Sequence, residues 1–162
     1  MMETIKTKVL SSENLSYWVA YNRFHEKKIV FSNGCFDILH LGHVDYLMKA
    51  KDLGDVLIVG LNSDESTRKL KGENRPINTQ DSRAVMLASL QIVDAVIIFN
   101  EETPYELIKQ VKPDVLVKGS DYQIEEIAGY DIVQANEGQV VTIDLLPGYS
   151  TTVLIDRIKD IE

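Results

Sequence analysis

The sequence is short of cysteine and of basic residues, and it has no apolar run of membrane-spanning length. Its single cysteine, Cys35, excludes an intramolecular disulfide framework and is compatible with a reducing compartment. No basic start is followed by a long apolar stretch, so neither a signal peptide nor a membrane span is expected. With 17 basic against 25 acidic residues, the net charge of −8 argues against nucleic acid as a partner. We therefore expect a cytoplasmic protein that binds neither membranes nor nucleic acids.

Two common phosphate-binding motifs are also missing. The fingerprint GxGxxG does not follow the first apolar strand, and GxxxxGK[ST] does not occur. These absences weigh against a dehydrogenase and against a P-loop kinase.

Five short apolar runs alternate with helical patterns along the chain. Their continuous apolar character is typical of parallel strands buried on both faces, and they span residues 29–31, 56–61, 95–99, 114–117 and 140–143. This alternation predicts an α/β fold, a Rossmann-like single domain of about five parallel strands with helices on both faces. We divide the chain into an N-terminal helical extension, 1–27, and a main domain, 28–162.

Capping signals predict where several helices begin. Residues 103–106 form a capping-box pattern with proline at the first helical position, which predicts a helix through Val111. A further helix is expected over about 124–137. The other expected caps are hydroxyl or amide side chains, namely Ser11 or Ser12, Asn78 or Thr79, and Ser150.

The stretch 29–50 carries the strongest functional signal. Its strand runs through a turn containing Gly34 into a helix that begins near His40. Such a transition places free backbone N–H groups and the positive end of a helix at one point, where they can bind phosphate. His40 and His43, three residues apart, would both face the bound anion, and Gly42 would let a nucleotide approach the backbone closely. We interpret the two histidines as catalytic.

Zinc is the competing use of these two histidines. Cys35 lies nearby and Asp37 would be a possible third ligand, but no further cysteine or histidine group completes a four-ligand site. We favour phosphate chemistry and predict no metal-ligating residues.

A polar segment at 66–76 contains four basic residues in an otherwise acidic protein. We interpret it as a loop that forms a mobile clamp for a polyphosphate. A solvated loop without a binding role is the alternative.

The run NGCFDILHLGH at 33–43 resembles the HxGH signature of a nucleotidyltransferase superfamily that includes the glycerol-3-phosphate cytidylyltransferases. The runs LNSDESTRKLKGENRPIN, DVLVKGSDY, EEIAG and YSTT are most similar to those of D-glycero-β-D-manno-heptose 1-phosphate adenylyltransferases. Such enzymes often form one domain of a protein that also carries a sugar kinase. From the resemblance we expect a stand-alone homodimer that works beside a separate heptose 7-phosphate kinase.

The resemblance implies direct in-line attack of a sugar 1-phosphate on the α-phosphate of ATP, giving ADP-heptose for lipopolysaccharide core synthesis and releasing pyrophosphate. Mg²⁺ would be held mainly by the triphosphate. The motifs together give three groups of candidate residues. The catalytic group is His40, His43 and Lys71. The nucleotide- and phosphate-binding group is Asn33, Gly34, Cys35, Phe36, Gly42, Lys118, Gly119, Asp121, Ser150 and Thr151. A weaker, substrate-binding group is Asp37, Asn62, Asp64, Lys69, Arg75 and Arg83.

One departure from the superfamily bears on the substrate. The glycerol-3-phosphate cytidylyltransferases carry an Arg-Thr-x-Gly-Ile-Ser-Thr-Thr pattern before the last helix, whereas 145–152 reads LLPGYSTT here, without the arginine. This difference favours ATP and a sugar 1-phosphate. Two alternatives stay open, a cytidylyltransferase acting on glycerol 3-phosphate or another alcohol phosphate, and a nucleotide-binding regulatory module without turnover. For Lys118 and Asp121, an ion pair at the strand end is the alternative to nucleotide binding.

Overall fold

A computed structural model describes residues 2–120 and 123–161. The strands are β1 (Val9–Leu10), β2 (Ile29–Gly34), β3 (Val56–Asn62), β4 (Ala95–Phe99), β5 (Val115–Gly119) and β6 (Gln139–Ile143). The helices are α1 (Met2–Lys6), α2 (Ser12–Phe24), α3 (Leu41–Lys51), α4 (Asp64–Lys71), α5 (Gln80–Ser89), α6 (Tyr105–Val111), α7 (Tyr130–Ala135) and α8 (Thr151–Lys159), with a 3₁₀ turn at Ile124–Glu126.

The six strands of the described chain form one sheet in the order β1-β4-β3-β2-β5-β6, and every pair is parallel. From β2 the chain proceeds through β3 to β4 on one side, then returns to place β5 on the other side of β2. The strand order therefore reverses between β2 and β5, and in open α/β sheets ligands bind outside the carboxyl ends of the strands at such a point. The predicted α/β architecture is confirmed.

Two apolar cores lie on opposite faces of the sheet because side chains alternate along each strand. Val30 packs with Leu47 of α3 and Leu87 of α5 on one face. Phe31 packs with Leu107 of α6 on the other face, where α2 and α7 also contribute. Helices thus cover both faces of the sheet, and the carboxyl ends of its central strands are left for a ligand.

The N-terminal segment contributes more than the predicted helix. Val9 and Leu10 pair with Val96 and Ile97, so β1 extends the sheet beyond β4. Leu15 of α2 is 2% exposed within the core that contains Phe31. A two-residue strand carries too short an apolar signal to be recognised in the sequence.

The predicted loop at 66–76 is wrong in its first half, because α4 is helical through Lys71. The hydroxyl of Ser63 caps α4 by accepting from the N–H of Ser66. The residues that α4 buries, Ser66 and Thr67, are polar, so the helix leaves no apolar periodicity in the sequence. Gly72 ends the helix at φ +101°, a conformation that favours glycine.

Two other predictions need correction. The helix expected over 124–137 is a 3₁₀ turn followed by α7, separated where Gly129 adopts φ +90°. The capping box at 103–106 does not form: Pro104 occupies the N-cap position of α6, and no side chain caps that end. The predicted caps Ser11, Thr79 and Ser150 do accept hydrogen bonds at the starts of their helices.

Among the described residues, no helix has both the length and the apolar character needed to cross a membrane.

Candidate active site

A cavity of about 760 Å³ lies at the carboxyl edge of the sheet, around the end of β2. It brings together all of the candidate residues predicted from the sequence except four. Those that line it are Asn33, Gly34, Cys35, Phe36, Asp37, His40, Gly42, His43, Asn62, Lys71, Arg75, Lys118, Gly119, Ser150 and Thr151.

The two histidines are held in a fixed relation at the start of α3. His40 is the N-cap residue, and its Nδ1 accepts a hydrogen bond of 3.3 Å from the backbone N–H of His43. The two imidazoles stack, with centroids 3.8 Å apart and planes inclined by 18°. Because Nδ1 of His40 accepts, the proton of its neutral ring is on Nε2. The cap therefore sets the tautomer of His40.

The environment of His43 disfavours its protonated form. Burial, together with the nearby His40, lowers the pKa of His43 from 6.5 to about 4. Burial also lowers the pKa of His40. Phe36 adds an aromatic wall, with its ring edge-on to His43 at 5.2 Å. Both histidines can thus act as neutral hydrogen-bond donors at neutral pH.

Two contacts fix α3 relative to the rest of the cavity. The hydroxyl of Tyr46 donates to the carbonyl of Val117 (3.0 Å) and lies 2.8 Å from the hydroxyl of Ser32, so it links α3 to both β2 and β5. At Gly42, an added Cβ would lie 3.0 Å from Cβ of Tyr149 and 3.1 Å from the ring of His40. The missing side chain of Gly42 therefore permits close packing between protein groups, in addition to the access for a nucleotide that the sequence suggested.

A second helix start borders the same cavity. Ser150 is the N-cap residue of α8, and its hydroxyl accepts from the N–H of Val153 at 3.1 Å. Thr151 and Thr152, in the first turn, also line the cavity. The N-terminal ends of α3 and α8 therefore both border the cavity, and each contributes partial positive charge and backbone donors suited to an anion.

The segment after α4 is attached to the end of β2 through Asp37, whose side chain is 2% exposed. One carboxylate oxygen accepts from Nε of Arg75 at 2.6 Å. The other accepts from the backbone N–H groups of Ile77 (2.7 Å) and Asn78 (3.0 Å). Asp37 thereby orients a basic side chain beside the cavity.

Three of the candidate residues that the structure describes do not line the cavity. Arg83 is 0% exposed, and its guanidinium donates to the carbonyls of Cys35, Asn62 and Asn78. It also forms an ion pair with Asp64 at 2.8 Å, so these two residues support the ends of β2 and β3 from outside the cavity. Lys69 is exposed and pairs with Glu65 one turn away. Asp121 lies outside the described residues.

Several lining residues were not predicted as site residues. Most come from the loop before α6, the turn before α7 and the segment before α8, namely Glu102, Thr103, Pro104, Glu126, Ile127, Ala128, Leu145, Leu146 and Tyr149. The others lie within helices: Tyr46 in α3, Leu70 in α4 and Thr152 in α8. The EEIAG run at 125–129 and the YSTT run at 149–152 were signals for some of them, although neither run alone indicates which side chains face a ligand.

One buried acceptor at the cavity, Oδ1 of Asn33, has no hydrogen-bond partner within residues 2–120 and 123–161. Over the same residues, no group of three or more histidine, cysteine, aspartate or glutamate side chains is placed to hold a metal ion. The zinc alternative considered for His40 and His43 therefore has no ligand set there.

The doubly wound parallel sheet, with an HxGH pair at the carboxyl end of its first central strand, places this protein in the HxGH nucleotidyltransferase class. The chain belongs to the cytidylyltransferase-like family, whose model matches residues 31–157.

Two of the proteins that are similar to this chain carry the same name. The chain is 62% identical over 133 residues to the "Bifunctional protein HldE" of Nitratiruptor sp., covering 82% of this chain and 28% of that protein. It is 50% identical over 159 residues to the protein of the same name from Helicobacter hepaticus, covering 98% of this chain and 32% of that one. The chain thus spans about a third of the length of these relatives.

A solved structure is also similar, a lipopolysaccharide core biosynthesis protein from Thermoplasma volcanium. Its TM-score is 0.61 at 32% identity, and the match covers 74% of this chain and 97% of that one.

Proposed function

We propose that the protein transfers AMP from ATP to D-glycero-β-D-manno-heptose 1-phosphate, giving ADP-heptose and pyrophosphate. The observation that carries this proposal is the convergence on one cavity of the stacked His40/His43 pair and the N-terminal ends of α3 and α8. The HldE relatives and the similar lipopolysaccharide core biosynthesis protein support the choice of acceptor.

In the proposed reaction, a phosphate oxygen of the sugar 1-phosphate attacks the α-phosphorus of ATP. The bond from that phosphorus to the α–β bridging oxygen breaks, and pyrophosphate leaves with the bonding electrons. Charge gathers around the α-phosphorus, so fixed donors should supply most of the acceleration. His40 and His43 would donate hydrogen bonds to α-phosphate and bridging oxygens as neutral imidazoles.

The remaining contacts follow from the placement of the residues. Backbone N–H groups at Gly34 and Cys35 would hold phosphate oxygens, and Ser150 with Thr151 would bind the triphosphate at the start of α8. Lys71 and Arg75, which line the cavity, would neutralise the transferred and leaving phosphates.

Lys118 and Gly119, at the end of β5, would border the base and ribose. Mg²⁺ would enter with ATP, coordinated mainly by phosphate oxygens. A homodimer and a functional pairing with a separate heptose 7-phosphate kinase remain proposals based on the resemblance.

The test is pyrophosphate release with Mg²⁺ and the heptose 1-phosphate, comparing ATP with CTP. We expect release with ATP, reduced roughly 10²–10³-fold by His43→Ala because one transition-state donor is lost. Lys71→Gln and Lys69→Gln form a matched pair on α4, since only Lys71 lines the cavity. Lys71→Gln should lose activity, and Lys69→Gln should keep it.

A cytidylyltransferase is the second candidate, because the family model that matches the chain is described as cytidylyltransferase-like. Release only with CTP, or only with glycerol 3-phosphate as acceptor, would support that candidate and overturn the heptose proposal. Binding of ATP without pyrophosphate release from any acceptor would instead indicate a regulatory module.

A further inference from the structure

The two sides of the cavity differ in chemistry. On one face of the sheet lie α3 and the stacked histidines, since Leu47 and Tyr46 of α3 pack in the core with Val30. On the opposite face, the cavity is lined by residues 102–104, before α6, and 126–128, before α7. We call this second wall the α6/α7 wall.

Asn33 faces the α6/α7 wall. It is two residues after Phe31, which packs with Leu107 of α6, so both side chains leave the same face of β2. The surroundings of Gly60 in the neighbouring strand agree: an added Cβ there would lie 2.9 Å from Phe31, 3.2 Å from Leu107 and 3.3 Å from Cβ of Asn33. Asn33 is thus on the side of the sheet opposite the histidine helix.

The amide oxygen of Asn33 is buried, and within residues 2–120 and 123–161 no group donates a hydrogen bond to it. Buried polar atoms in folded proteins nearly always have a partner, so an unpaired acceptor bordering a cavity indicates a donor on the ligand. A phosphate oxygen at neutral pH accepts hydrogen bonds, whereas a hydroxyl group donates them. This oxygen therefore fits a hydroxyl.

The charges on the α6/α7 wall agree with this assignment. Glu102 and Glu126 are exposed carboxylates lining the cavity, and the wall contributes no basic side chain at 102–104 or 126–128. Carboxylates repel phosphate but accept hydrogen bonds from hydroxyls. Lys118 also leaves this face of the sheet, because it is two residues after Leu116, which packs in the core with Phe31. Lys71 and Arg75, which suit phosphate, come from the segment after β3.

We infer that the α6/α7 wall binds the hydroxylated sugar of the acceptor and that Asn33 is a specificity-determining residue, its amide oxygen accepting a hydrogen bond from a sugar hydroxyl. This inference rests on the proposed function, because it assumes an acceptor that is a sugar phosphate. The triphosphate and the attacking phosphate then occupy the side with the histidines.

The test is equilibrium binding by calorimetry, using the whole chain with Mg²⁺ and a non-hydrolysable ATP analogue. Heptose 1-phosphate is titrated into the wild type, Asn33→Leu and Asn33→Asp. Asn33→Leu removes the acceptor at similar size and should weaken sugar phosphate binding about 10- to 100-fold. Asn33→Asp keeps the acceptor oxygen and should weaken it much less. Affinity for the ATP analogue should change little in either variant.

Asn136→Leu, an exposed position at the end of α7, is the matched control and should bind both ligands as the wild type does. Thermal melting reports whether each variant folds. A second measurement needs no variant: cyclohexyl phosphate, which lacks the sugar hydroxyls, should bind the wild type at least about 10-fold more weakly than heptose 1-phosphate.

Four results would overturn the inference. The first is unchanged acceptor binding by Asn33→Leu, and the second is loss of ATP analogue binding instead, which would place the ribose at this wall. The third is equal binding of cyclohexyl phosphate. Stronger damage from Asn33→Asp than from Asn33→Leu would also overturn it, because the amide would then be facing a phosphate. A wild type that binds the sugar phosphate with these dependences but releases no pyrophosphate would overturn the proposed function alone.

Discussion

Nδ1 of His40 accepts a hydrogen bond from the backbone N–H of His43, while the two imidazoles stack at 3.8 Å. One side chain therefore serves as both helix cap and candidate catalytic group. The capping bond occupies Nδ1, which leaves Nε2 as the donor for a substrate oxygen. The local structure of α3 thus determines which nitrogen of His40 can take part in chemistry.

Substitutions at His40 should separate these two roles. His40→Asn keeps a capping side chain, whereas His40→Ala removes it and should destabilise the protein by about 1 kcal/mol. Both lose the Nε2 donor, so both should reduce turnover roughly 10²–10³-fold. Denaturant unfolding and pyrophosphate release measure the two effects. Equal stability of the two variants would show that the cap contributes nothing.

The lowered pKa of His43 predicts a pH dependence of stability. The pKa is about 4 in the folded protein against 6.5 for a free histidine, so between these values the unfolded chain binds a proton that the folded one does not. Stability should therefore fall as pH decreases from about 7.5 towards 4, by on the order of 3 kcal/mol at full effect, and His43 should contribute almost no slope above about pH 7.5.

His43→Asn is the variant that tests this slope, because it removes the titrating group and keeps a polar side chain. Denaturant unfolding at half-unit pH steps should give a shallower decline for the variant than for the wild type below about pH 7.5, with parallel curves above about pH 7.5. Curves that stay parallel down to pH 4 would contradict the assignment of the lowered pKa to His43.

The sequence was sufficient to predict five of the six described strands and to place the HxGH run at the end of the first of them, because both depend on local patterns. Each of the five predicted apolar runs is a strand, and the HxGH run lies at the start of α3. The position of the site follows from parallel strand order, since the carboxyl ends of β2 and β5 meet at one edge.

Sequence patterns failed where polar residues are buried. Arg83 was expected to contact substrate, yet its side chain is buried beneath the strand ends. Its partners are backbone carbonyls, and the pattern of side chains in a sequence does not show where those carbonyls lie. The α4 helix was missed for a similar reason, since it buries Ser66 and Thr67 in place of apolar residues. Asn33 was assigned to phosphate from its neighbours, and only the placement of its side chain across the sheet indicates a hydroxyl.

The Asp37 carboxylate should be required to hold the segment that carries Arg75. Asp37→Asn keeps the shape but removes the charge that accepts from Arg75 and from the N–H groups of Ile77 and Asn78. We expect a loss of about 1–3 kcal/mol in stability and a reduced turnover. Arg75→Gln should reduce turnover with a smaller loss of stability, because the backbone bonds to Asp37 remain. Unfolding and kinetics of both variants test this, and equal stability losses would contradict it.

Cys35 should be dispensable for the chemistry, although it lines the cavity. In-line attack by a phosphate oxygen forms no bond to the protein, and the contact recorded for Cys35 is its backbone carbonyl accepting from Arg83. Cys35→Ser should therefore retain most of the pyrophosphate release. A folded but inactive Cys35→Ser enzyme, with a wild-type melting temperature, would contradict the proposed mechanism.

Arg83 should be the most damaging position for stability among the candidate residues. Its fully buried guanidinium satisfies the carbonyls of Cys35 and Asn62 and pairs with Asp64. Arg83→Met keeps much of the volume but leaves these carbonyls and a carboxylate without their donor, which should cost about 3–5 kcal/mol. Asp64→Asn, which removes only the partly exposed partner, should cost less than Arg83→Met.

Denaturant unfolding of the two variants measures this difference in stability. Binding of ATP to folded Arg83→Met protein then shows whether Arg83 only supports the strand ends or also contacts the ligand. If Arg83 acts only by holding the ends of β2 and β3, the apparent ATP affinity should decrease only as much as the folded fraction decreases. A stable Arg83→Met protein that has lost ATP binding would mean that the guanidinium reaches the ligand, contrary to its burial in the structure.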